Sequence, residues 1–245
     1  MTALLSLDDV SKRFRGLLAV DQVSFAVPDG AIFAVIGPNG AGKTTLFNMI
    51  AGAMKPDAGT IVFAGRPVQG LTSDAICRRG IARTFQLVRP FPALSVEDNV
   101  IVGALVHRRD VTAARAHAHE LLTRLDLFDK RHRIASTLTL PDRKRLEMAR
   151  ALATGPRLLL LDEVMAGLRP PETDRMVSIL QALNRDGLTI LLIEHVMRAV
   201  MALASQVLVL DHGTAIAEGA PAAVVRDPAV VQSYLGQSEL GGEAV

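Results

Sequence analysis

The chain has 245 residues, enough for one large domain or a core domain carrying a smaller inserted one. Hydrophobic residues make up 49%, enough to bury a substantial core, while 27 basic and 25 acidic side chains nearly cancel and leave no broad field for nucleic acid. A single cysteine, Cys77, excludes an internal disulfide and suits a reducing compartment.

No stretch approaches the ~18 to 20 apolar residues of a membrane span; residues 196–210 come nearest but contain Arg198 and Gln206. The N-terminus lacks a basic segment followed by an apolar one, so a soluble, cytosolic chain is expected, with any membrane crossing left to another polypeptide. Residues 4–7, 19–27 and 31–36 are expected as strands, with Pro28-Asp29-Gly30 turning the chain between the last two.

Gly37-Pro38-Asn39-Gly40-Ala41-Gly42-Lys43-Thr44-Thr45 follows, matching G-x-x-x-x-G-K-[ST]. Glycines let the backbone wrap a phosphate with its N–H groups pointing inward, and the dipole of a helix opening near Lys43 favours an anion at the same spot. Lys43 then reaches the β- and γ-phosphates, and the Thr44 hydroxyl is a candidate Mg²⁺ ligand. An apolar strand before the loop and the helix-forming run 46–50 after it complete the context this motif requires. Phe14, ahead of a strand, reads either as a core side chain or as a platform stacking on adenine.

Beyond a break at residues 56–59, residues 60–63 are expected as an edge strand and 81–85 as another strand. From about 95 to 154 the pattern turns helical: Ser95 is placed as an N-cap ahead of Glu97 and Asp98, and residues 113–127 and 143–153 carry apolar side chains at three- and four-residue intervals. Strand-like runs return at 158–161, 188–193 and 207–210, so a parallel α/β core interrupted by a helical insertion is expected. Only residues 236–245 read as low in structure.

The run 158–161 ends in Asp162 and Glu163, two carboxylates at the strand end where open α/β sheets bind ligands. Asp162 is the candidate metal ligand, and Glu163 the candidate base that readies a water for attack on the γ-phosphate. Gln86 reads either as a surface loop residue or as a sensor touching both metal and water. His195, after the strand 188–194, reads either as a structural hydrogen-bond partner or, on the same sheet edge as Asp162, as a γ-phosphate contact, and the second is the reading favoured.

The phosphate loop, Gln86, Asp162-Glu163 and His195, in this order and spacing, resemble the ATP-binding subunit of an ABC transporter over residues 4 to 236. Residues 16–20, 80–86, 145–154 and 217–219 through 234–236 are similar to the branched-chain amino-acid importer family. The resemblance implies a P-loop NTPase core with an N-terminal antiparallel β subdomain, the whole of 1–245 forming one domain with a helical subdomain inserted at 87–155. It implies ATP and Mg²⁺ as cofactors, with Thr44, Gln86 and Asp162 on the metal. Its implied partners are two membrane permease subunits, a second ATPase subunit and, indirectly, a periplasmic binding protein, at the cytoplasmic face of the membrane and without nucleic acid. In that family each ATP lies between the phosphate loop of one ATPase and the signature segment of the other. Residues from Gln86 to Asn99, including Leu87, Val88, Arg89, Pro90 and Phe91, read either as the permease-coupling surface or as packing beneath the helices.

One segment departs from the family. The usual Leu-Ser-Gly-Gly-Gln signature is replaced by Leu138-Thr139-Leu140-Pro141-Asp142, and Pro141 has no N–H to offer a phosphate. Thr139 is expected to cap the following helix, Pro141 to fit its first turn, and Asp142 to occupy its dipole. Loss of one charge-assisted donor is worth roughly 1.5 to 3 kcal/mol, about ten- to a hundredfold in rate if it falls on the transition state. Arg169 also stands where the family has aspartate, and Val164 where it commonly has proline. A heterodimer with a regular ATPase partner is therefore expected, a homodimer being the alternative. A lipopolysaccharide-type exporter ATPase, a soluble ATPase acting on DNA or translation, and a non-hydrolysing regulatory module are the rival readings.

Overall fold

The computed structural model describes residues 3–84, 90–108 and 110–233. The chain forms two compact units, Met1–Ser73 joined by Thr189–Val245, and Asp74–Leu188.

The first unit opens with two long strands, β1 (Ala3–Phe14) and β2 (Leu17–Pro28), paired antiparallel. β1 runs well past its apolar stretch at 4–7. Bulges near Asp9 absorb the polar residues, and serine hydroxyls satisfy the amides these leave open: Asp9 donates to Ser24 Oγ at 2.8 Å and Gln22 to Ser11 Oγ at 2.9 Å. The Pro28-Asp29-Gly30 turn then closes through Ala31 N–H to Pro28 O at 3.2 Å. β3 (Ile32–Ile36) is buried at every position, as a strand covered on both faces must be. The phosphate-loop segment leads into α1 (Lys43–Ile50), which buries Leu46, Phe47, Met49 and Ile50.

β4 (Ala58–Phe63) pairs with β1 on one side and with the two-residue β5 (Arg66–Pro67) on the other, giving an antiparallel sheet in the order β2-β1-β4-β5. The expected edge position of residues 60–63 is thus corrected: β5 takes the edge, where Pro67 lacks the amide an interior strand would need.

The second unit takes up the chain at Asp74, within α2 (Ser73–Arg78), and continues with β6 (Ile81–Arg83), a shorter strand than the expected 81–85. Among the described residues three α-helices follow, α3 (Val96–Ala104), α4 (Val111–Arg124) and α5 (Leu140–Ala153), with short 3-10 turns at Phe128–Lys130 and Ala135–Thr137 between the last two. Ser95 caps α3 as expected, its Oγ accepting from Asp98 N–H at 3.0 Å. α4 is capped by Asp110 and stops before the expected residue 127, because Asp126 adopts φ 54° and Leu127 N–H turns back to Leu122 O at 2.8 Å. α3 and α5 approach so closely that a Cβ on Gly103 would lie 2.4 Å from Arg150 O. Glu97, nearly buried on α3, gathers Arg115 at 2.9 Å and His119 at 3.0 Å from α4. β7 (Leu158–Asp162) pairs parallel with β6 and is buried throughout, and α6 (Pro170–Arg185) closes this unit.

The chain returns to the first unit with β8 (Thr189–Ile193), α7 (Met197–Leu203), β9 (Gln206–Asp211), β10 (Thr214–Gly219) and α8 (Pro221–Val224). β8 and β9 flank β3 in parallel, and β10 pairs antiparallel with β9. The expected parallel core is present in β3, β8 and β9, and β10 adds a reversed strand along its edge. Among the described residues no helix is long and apolar enough to cross a membrane.

Candidate functional site

β3 delivers the chain into residues 37–42, and α1 starts at Lys43 with Gly42 as N-cap at φ 99°. Two glycines are demanded by the backbone they face. A Cβ on Gly37 would sit 2.0 Å from Leu210 O, and one on Gly42 would sit 2.3 Å from Ala19 O. The loop therefore lies tight between β9 and β2, while Asn39 and Gly40 at its crest are exposed. Pro38 O accepts Ala41 N–H at 3.2 Å, and Ala41 O accepts Gly213 N–H at 3.1 Å, tying the loop to the turn before β10.

Lys43 is buried, and its Nζ donates to Gly37 O and Pro38 O, each at 2.7 Å. The ammonium is thus held by the loop's own carbonyls. Thr44 is exposed and Thr45 half-buried on the first turn of α1, where the helix leaves its leading N–H groups open to an anion. Phe14, at the end of β1, is 41% exposed with Lys12 Nζ 5.8 Å from its ring centroid, so the core reading of this side chain does not hold. His195 is exposed just beyond β8, next to the buried Glu194.

In the second unit β7 ends at Asp162, whose carboxylate is 2% exposed and accepts from Arg83 Nη2 at 2.8 Å. Thr84 completes the contact: its N–H donates to Leu160 O at 2.9 Å, and its Oγ1 accepts Asp162 N–H at 3.4 Å. Glu163 is half-buried with φ 50°, a conformation that costs a non-glycine residue of order 1 to 3 kcal/mol and persists only where neighbours enforce it. Lys144 does so from α5, donating to Glu163 O at 2.9 Å. Gln86, with Phe85, Leu87, Val88 and Arg89, lies outside the described residues, as do the tail 236–245 and Tyr234 to Gly236. Phe91, beside them, is 45% exposed and pinned by Asn99, which accepts its N–H at 2.8 Å and donates to its carbonyl at 3.1 Å.

The signature segment is internally satisfied. Thr139 is the N-cap of α5, yet its hydroxyl makes no bond to the first-turn amides; it hydrogen-bonds Asp142. Asp142, 3% exposed, pairs with Lys130 and Arg145. Burial pushes its carboxyl up, but the Lys130 and Thr139 hydrogen bonds and the two cations outweigh that and hold it below the ordinary range. The carboxylate expected to face an incoming phosphate is thus already neutralised within its own unit. Arg169 is the N-cap of α6 and folds onto Glu172 of that helix, which accepts its backbone N–H at 2.9 Å.

Sequence reasoning singled out none of Arg83, Thr84, Lys144 and Lys130 as site residues. The signal for Arg83 was a charge ending a short buried strand; the partnership of Lys144 with Glu163 O had none.

Residues 20–166 match the ABC transporter family model, and residues 216–239 match the model of branched-chain amino acid ATP-binding cassette transporters. The chain is an ATP-binding cassette of the ABC transporter family. The high-affinity branched-chain amino acid transport ATP-binding protein LivG of Salmonella typhimurium is 40% identical to this cassette, covering 96% of it and 98% of LivG. BraF of Pseudomonas aeruginosa, of the same description, is 37% identical with the same coverage. The lipopolysaccharide export system ATP-binding protein LptB of Escherichia coli is 35% identical. Among solved structures, the ADP conformation of an ABC transporter cassette superposes with TM-score 0.88 at 30% identity, covering 96% of this cassette and 100% of that chain. Family membership makes this cassette a nucleotide-binding ATPase.

Proposed function

We propose that the cassette hydrolyses ATP to energise an importer of branched-chain or other hydrophobic amino acids. The observation that carries this reading is the match to LivG and BraF along 96% of the chain, together with the importer-type segment 216–239. LptB, at 35% identity, makes lipid export the second reading.

In this reading Gly37 to Thr45 wrap the phosphates with backbone amides, and Lys43 turns from the loop carbonyls to the β- and γ-phosphates. Phe14 stacks on adenine from its exposed position. Asp162, Thr44 and Gln86 offer the oxygen donors that suit Mg²⁺, and the fit rests on Asp162, a buried carboxylate compensated by a cation at hydrogen-bond distance. Mg²⁺, when bound, offsets charge on the transferring phosphate. Glu163 takes a proton from the attacking water, its backbone carbonyl held by Lys144. His195 and Gln86 orient the γ-phosphate and the water.

The cassette works at the cytoplasmic face of the membrane as a peripheral subunit, beneath two permease subunits supplied by a binding protein. Segment 87–155 serves as the helical subdomain facing the permease, within one cassette spanning 1–245. Pro141 and the sealed Asp142 make its signature segment a poor phosphate partner, which favours a heterodimer with a second ATPase over a homodimer.

The test is reconstitution of the cassette with its permease and partner ATPase in vesicles carrying Glu163→Gln on this chain alone. Removing a general base lowers turnover about 10²- to 10⁴-fold. Amino-acid uptake that persists at the wild-type rate refutes the assignment of Glu163, and vesicles that never import an amino acid refute the transport reading.

A further inference from the structure

Asp162 and Arg83 form a buried ion pair, 2% and 8% exposed, at the ends of two paired strands. β6 is only three residues long; Ile81 and Ala82 are buried, and the third side chain is a guanidinium. The parallel register sets Arg83 opposite Leu160, two residues before Asp162. Thr84 fixes the main chain on both sides of that step through Leu160 O and Asp162 N–H. The guanidinium therefore meets the carboxylate by strand geometry.

A charge in so dry a position must be compensated, and Arg83 Nη2 supplies the compensation at 2.8 Å from Asp162 Oδ2. A divalent cation drawn to the same carboxylate would meet a resident positive charge. The two cations repel, and a hard cation takes oxygen donors that the arginine already engages.

We propose that Arg83 is the resident counter-ion of Asp162, holding the carboxylate when no divalent cation does and yielding it when one binds, so that Arg83 sets the affinity for the metal–nucleotide complex. This rests on the reading of Asp162 as the metal ligand. Arg83 is then a positioning residue, with a distinctive signature: its loss tightens metal binding, whereas loss of a purely structural residue would weaken it.

The experiment titrates Mn²⁺ into the full-length cassette saturated with ADP and follows free Mn²⁺ by electron paramagnetic resonance. Arg83→Gln is expected to tighten Mn²⁺ binding about tenfold or more, the equivalent of one charge-assisted bond no longer surrendered. Arg83→Lys, which keeps the charge but loses the planar fork and some reach, is expected to tighten it about threefold, and it carries the test if Arg83→Gln fails to fold. Mn²⁺ affinity in these variants equal to or weaker than wild type overturns the inference. Asp162→Asn separates the two readings. If Asp162→Asn keeps wild-type Mn²⁺ affinity, Asp162 is not the ligand and both readings fall. If it loses that affinity while the Arg83 variants do not tighten it, only the counter-ion exchange is refuted.

Discussion

Replacing Asp142 by alanine removes a carboxylate lodged between Lys130 and Arg145. The Asp142 side chain is 3% exposed, Arg145 13% and Lys130 36%. Breaking a fully buried pair costs about 3 to 5 kcal/mol, but Lys130 can swing into water, where ion pairs are screened to about 0.2 to 1 kcal/mol. Arg145 retains Leu125 O at 3.3 Å and Asp126 at 3.7 Å, so it is not stranded. What remains is chiefly one charge-assisted hydrogen bond, and the expected loss is about 2 to 3 kcal/mol, or roughly 4 to 12 °C in Tm for a chain of this size.

The loss carries a pH signature. Because the folded carboxyl titrates below its unfolded value, its contribution is complete above the ordinary carboxylate range and disappears as pH falls through the folded pKa. Thermal melts of wild type and Asp142→Ala, followed by circular dichroism, should therefore differ by a constant margin from about pH 5 to 8 and converge below about pH 4. A neutral-pH difference under about 1 °C, or one that persists unchanged into acid, refutes the view that this segment is held by its own ion pairs.

Further outcomes follow from the geometry. Lys43→Met should weaken ATP binding about ten- to a hundredfold in a fluorescent-nucleotide titration, since it deletes a charge-assisted donor to phosphate; unchanged affinity would refute the phosphate-loop assignment. Gly103→Ala places a methyl 2.4 Å from Arg150 O and should destabilise the α3–α5 contact by about 1 to 3 kcal/mol in urea unfolding, with wild-type stability arguing against so close an approach.

The phosphate loop, the acid pair and the helical stretch between them were legible because each rests on local chemistry. A glycine-lysine loop between a strand and a helix, an apolar run ending in carboxylates, and a serine cap before two acids carry their meaning within a few residues. Register was not legible. That β4 lies inside its sheet depends on Pro67 reaching it from a two-residue strand, and the length of β1 depends on Ser11 and Ser24 reaching back into its bulges.

Asp142 shows the same division more sharply. Its position at a helix start suggested a carboxylate free to meet an anion, yet two cations lie upon it, one from before α5 and one from a turn further along. Short-range order reveals which groups have chemistry to offer; their charge state and freedom depend on what distant segments set against them. Arg83 and Asp162 stand 79 residues apart in sequence and 2.8 Å apart in space. Strand pairing makes that contact, and burial gives it strength, because electrostatic coupling becomes strong only where water is excluded.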